Sequence, residues 1–236
     1  MLLDAPPPRA SHATDIPGRR EQIEDGLYEK WKTWIERVYD ETVTLFAYRS
    51  FYRGLADITQ ANDTIPASSF FDALGAWYAT TQAAAVRRQT DIGRDAISIA
   101  KLLTHMAAHP AVMTRERFLA LWGDEAHWQR RGAEQFDRYG EEGADVIAAE
   151  RYSADLERFQ ETARPIKDYV DRHVAHNDQR ELTRPPTFAE LNAAIDLLEE
   201  LLNKYMVLLT ATGVPSADPV HQADWKDAFR VAWLVD

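Results

Sequence analysis

The run DYVDRHVAHND at residues 168–178 brings Arg172, His173, His176 and Asn177 together, the residue types best suited to chemistry on a phosphodiester. An imidazole exchanges protons near neutral pH, and the planar fork of a guanidinium holds two phosphate oxygens at once. In an α-helix, Arg172 and His176 share one face, with Asp168 a turn earlier, while His173 lies roughly a quarter-turn away. The same letters also suit a helix end. Asn177 and Asp178 favour a chain leaving a helix, and a cationic imidazole is stabilised by the carboxyl-terminal carbonyls. From the residues alone, both readings stay open.

Other chemistries find little support. No histidine has a glutamate three positions before it, which removes the Glu-x-x-His pairs of a di-iron bundle. His105 and His109 stand one helical turn apart, but HMAAH lacks the glutamate of a zinc-protease helix and no third ligand is evident, so packing and helix-end roles are expected. Phosphate loops, dinucleotide-binding glycine turns and nucleophile elbows are absent. No metal and no cofactor is expected.

The elements that must position the run read as all-α. Glycines number only 10, hairpin signals are missing, and apolar residues recur at three and four along most of the chain. Leu27, Trp31, Trp34 and Val38 mark a first long helix that continues to about residue 60. The alanine- and aromatic-rich SFFDALGAWYATTQAAAVRRQTD makes a second helix, expected to be central. DIGRDAIS breaks the chain before a third helix, ISIAKLLTHMAAH, which Pro110 stops at His109. Residues 113–144 read as two short helices punctuated by Gly123, Gly132 and Gly140. A long helix from about Asp145 to Ala175 follows, with Pro165 as a kink or boundary. Thr187 and Glu190 form a capping box for the last long helix, which Gly213 and Pro215 are expected to end. Trp225, Phe229 and Trp233, at fourfold spacing, should dock on the bundle.

At 236 residues the chain can bury a full core as one domain, read as 21–236 behind a flexible segment at 1–20. It has no cysteine and no apolar run near the roughly 18 residues of a membrane span, so a cytoplasmic protein without membrane contact is expected. A net charge of -11 repels nucleic acid overall and restricts any RNA binding to a local basic cleft.

YVDRHVAHND resembles the signature of HEPN domains. More narrowly, the chain is similar to the abortive-infection AbiU-type HEPN group through the ordered pieces LYEKWKTW, FYRGLADI, RRQTDIGRDAISIAKLL, IKDYVDRHVAHND, FAELNAAIDLLEELLNKYMVLLT and DWKDAFRVAWL. The resemblance implies a HEPN-like bundle of long antiparallel helices with additional short ones. It also implies a homodimer in which two histidine-bearing helices share a cleft. In active members that cleft is a metal-independent endoribonuclease site, often of a toxin or phage-defence protein with a nucleotidyltransferase antitoxin. Carried over, His176 is the acid–base residue, Arg172 the phosphate clamp, and His173 or Asn177 assists from the partner subunit. The family spacing puts the arginine at 169–171, where this chain has Tyr169, Val170 and Asp171; Arg172 stands one position closer to the histidine. A catalytically inactive scaffold that binds a partner or a nucleotide is the alternative.

Overall fold

The computed structural model describes residues 18–63, 65, 68–174, 184–213 and 224–230. The first helix, α1 (Arg19–Gln60), forms because Trp31, Ile35, Val38, Leu45 and Phe46 fall on one stripe, and all five are buried. Thr42 interrupts that stripe at little cost, since its hydroxyl donates to the Val38 carbonyl at 2.8 Å. After α1 come α2 (Ser69–Gln89), α3 (Ile99–Ala108), α4 (Arg115–Ala120), α5 (Ala126–Tyr139), α6 (Ala149–Tyr169) and α7 (Phe188–Thr210). The fold is an all-α bundle.

The centre is α6 and α7 rather than α2. The α6 helix packs against α3, α7 and α2, and α7 packs against α6, α1, α2 and α3. By contrast, α2 buries Gln82, Ala83, Val86 and Gln89 but leaves Phe70 and Trp77 exposed at 57% and 63%. Its aromatic residues therefore mark a surface, and the expectation of a central helix is corrected.

Helix ends follow local chemistry with two departures. The capping box is present: the Glu190 amide donates to Thr187 Oγ1 at 3.2 Å, and the Thr187 amide donates to Glu190 Oε2 at 2.8 Å. At the other end Ala211, with φ 54, takes the left-handed position expected of Gly213. The α6 helix starts at Ala149 instead of Asp145, because the Asp145 carbonyl accepts from the Arg115 amide at 2.7 Å and Val146 pairs with Thr114. Pro165 lies inside α6.

Gly132 does not punctuate. It sits buried within α5, where a methyl group would come within 2.9 Å of Leu119 Cδ2 and 3.0 Å of Trp122 Cγ. An alanine at an open helical site stabilises by about 1 kcal/mol over glycine. Here the clash reverses the sign, and Gly132→Ala is expected to destabilise by about 1 kcal/mol in urea titration. A stabilised variant would show that the α4–α5 contact is looser than described.

His105 and His109 are packing residues. The indole N–H of the buried Trp31 donates to His105 Nδ1 at 2.9 Å, so that nitrogen must be unprotonated, and the two imidazole centroids lie 5.0 Å apart. No cluster of three possible metal ligands occurs among the described residues. Burial first, then the charges of Lys30, His109 and Lys101, hold the His105 pKa below its ordinary value. The unfolded chain then takes up this proton more readily than the folded one. Stability from this site is therefore present above about pH 6.5 and declines as pH falls below it, levelling off under the folded pKa. Replacing His105 with glutamine should flatten the decline in urea midpoint between pH 6.5 and 5; an unchanged slope would assign the decline to other groups.

Candidate functional site

The candidate site stands where α6 leaves α-helical geometry. From Val170 to Val174 the chain winds as a π turn, with hydrogen bonds reaching one residue further than in an α-helix. Val170 anchors the turn in the core, Asp171 and Arg172 are half-buried, and His173 and Val174 face solvent. The α-helical register that aligned Arg172 with His176 ends at Tyr169. His176 and Asn177 lie outside the described residues, and so does Trp233.

Asp171 is the structural pin of this turn. Its carboxylate accepts from Arg87 Nε at 2.8 Å and from Lys167 Nζ at 2.6 Å, so the carboxyl end of α2 is tied to the end of α6. Burial alone would raise the Asp171 pKa. The hydrogen bonds from Lys167 and Arg87, with their charges, outweigh it and hold the carboxyl below the ordinary carboxylate range.

Arg87 is held in turn by the loop behind it. It also pairs with Asp91 at 3.2 Å, and Gln89, 2% exposed, accepts from the Ile99 amide at 3.1 Å through Oε1. Ser98 caps α3 by accepting from the Lys101 amide at 3.0 Å and donates its own hydroxyl to the Asp91 carbonyl. The segment RRQTDIGRDAIS is thus a rigid clasp beside the turn. Sequence reasoning marked its DIGRDAIS part as a break, placed RRQTD in the second helix and missed Arg87 as a site neighbour; two adjacent arginines at a helix end were the available signal.

Of the basic residues near the turn, Lys167 is taken up by Asp171, and Arg184 by Glu190 at 2.6 Å. Among the described residues, Arg172 forms no ion pair. His173 stacks its ring on Tyr169, with centroids 5.8 Å apart and planes 16° from parallel. The turn thus offers an unpaired guanidinium beside an exposed, oriented imidazole, a pairing that can bind and protonate an anionic group.

A family model for AbiU2, a HEPN family, matches residues 28–228, from the third turn of α1 through the segment beyond α7. The chain belongs to the HEPN-type AbiU2 family. Neither a curated protein nor a solved structure matches it. The AbiU2 match spans both helix ends that meet at the π turn, so the clasp and the turn are part of the shared region. No described helix of this AbiU2 protein is long and apolar enough to cross a membrane.

Proposed function

We propose that this AbiU2 protein is a metal-independent endoribonuclease whose site is completed by two subunits. The observation that supports it is Arg172, half-buried and without an ion pair among the described residues, next to the exposed His173 in a chain of the AbiU2 family. His176 acts as the acid–base residue. It accepts the 2′-hydroxyl proton as the 2′-oxygen attacks phosphorus, or protonates the departing 5′-oxygen as the P–O bond breaks. The products are a 2′,3′-cyclic phosphate and a 5′-hydroxyl. Arg172 stabilises the charge that builds on the phosphorane oxygens, and His173 or Asn177 assists from the partner subunit. A nucleotidyltransferase antitoxin would restrain such an activity.

The test is cleavage of end-labelled RNA in the presence of a chelator. Wild type should cut, and His176→Ala should lose roughly 100-fold or more, the lower range for a general acid–base group. Light scattering should give a dimer at micromolar concentration; a strict monomer contradicts the shared site.

A second reading has its own observation. Asp171 takes up Arg87 and Lys167, two of the bases an RNA-binding cleft would use, and ties α2 to α6. An inactive scaffold in which this turn only builds a binding surface would show the same ion pairs and no cleavage by wild type.

A further inference from the structure

A cavity of about 100 Å³ opens directly beside the π turn, between α2, α6 and the start of α7. Its floor is apolar and low. Ala79 and Ala83 stand one turn apart on α2, and the absence of larger side chains there leaves the space, which Ile166 and Leu191 close from below. Two aromatic groups flank it. On one side is Tyr169, whose ring carries His173 stacked on it; on the other is Phe188, nearly parallel to Tyr78 at 13° and to Tyr52 at 11°.

The described lining of the cavity favours a neutral occupant. Among the described residues, no lysine, arginine, aspartate or glutamate lines it. Two hydroxyl-bearing residues line it: Thr187, whose hydroxyl is already spent within the capping box with Glu190, and Tyr169, whose phenol is the polar group left to it. An anion would find no cationic side chain among these residues, whereas a flat, neutral ring would find aromatic and aliphatic faces. The size suits one ring system rather than a nucleotide. The cationic group is not among these lining residues: Arg172 is three residues beyond Tyr169, within the turn. Neutral flat slot and adjacent cation together match a nucleobase attached to a phosphate.

We propose that this slot is a nucleobase subsite, holding one base of a single-stranded RNA between Tyr169 and Phe188 while the neighbouring phosphate reaches Arg172. The inference rests on the ribonuclease reading for its choice of nucleic acid. Recognition is mainly by stacking, which every base offers, so the subsite tolerates all bases.

The experiment uses full-length His176→Ala protein, so that binding is read without cleavage, and a fluorescein-labelled single-stranded RNA octamer. A series of octamers carries one abasic nucleotide at successive positions. Loss of the stacked base should weaken binding about tenfold at one position of the series. Phe188→Ala removes an exposed wall at 47% accessibility and should erase that position dependence without unfolding the chain. Ala79→Leu, which fills the slot, should do the same by a different route.

The proposal is overturned if every abasic octamer binds as tightly as the intact one, if the octamer does not bind, or if the position dependence survives both substitutions. Cleavage by wild type with no abasic effect removes the subsite and leaves the ribonuclease standing. An abasic effect without wild-type cleavage keeps the subsite and removes the ribonuclease.

Discussion

Replacing Arg172 with alanine should lower RNA cleavage by about 100-fold or more while leaving the melting temperature within about 2 °C of wild type. The two halves of that expectation have separate grounds. A guanidinium aimed at a developing phosphorane stabilises charge that is larger in the transition state than in bound RNA, so its loss falls mainly on kcat. Stability is spared because Arg172 makes no ion pair among the described residues, unlike Asp171 beside it. Arg172→Lys keeps a charge but loses the planar fork, and should recover only part of the rate. A large fall in melting temperature with the alanine variant would place Arg172 among the residues that hold the turn together.

The largest stability effect is expected at Arg49. This side chain is 8% exposed and joins α1 to α7 through two hydrogen bonds, one to Asp196 Oδ1 at 2.5 Å and one to Glu199 Oε2 at 2.8 Å. Its guanidinium also lies 5.8 Å from the Phe46 ring centroid. Breaking a deeply buried ion pair costs about 3–5 kcal/mol. Here Asp196 is 61% exposed and Glu199 31%, so water can take back much of their charge once the arginine is gone. Arg49→Met, which keeps the apolar stem, should therefore lose about 2–3 kcal/mol and lower the melting temperature by about 5–10 °C. Because the ion pairs of Arg49 are with α7 and not with the π turn, any RNA cleavage per folded molecule should not change. A melting temperature within 2 °C of wild type would show that the two carboxylates carry no net stabilisation through this fork.

What the sequence made legible is what depends on near neighbours in the chain. The stripe from Leu191 to Leu209 and the Thr187–Glu190 box predict α7 because helix period and capping are local properties, and both are present. The α2 helix was misplaced for the opposite reason. Its composition suits a core, but burial is decided by which helices arrive on each side, and α6 and α7 took the centre. Gly132 looked like a break because glycine weakens a helix; what keeps it there is the close approach of Leu119 and Trp122 from another element.

The site shows the same division. Residue type and spacing single out Arg172 and His173 as candidates, but on an α-helical register that ends before them. The π turn that replaces it is tied by Arg87, 84 positions from Asp171, a contact no local pattern encodes. The turn also alters what the family spacing means. Arginine-to-histidine counting presumes regular α-helix, and here regular helix stops at Tyr169, before Arg172 is reached.

The most direct test of the account is cleavage of end-labelled RNA by the wild-type protein in excess chelator, beside His176→Ala at equal concentration. The account predicts fragments ending in 2′,3′-cyclic phosphate from wild type and about 100-fold fewer from the variant. Equal cleavage by both proteins, or none by wild type, would contradict it.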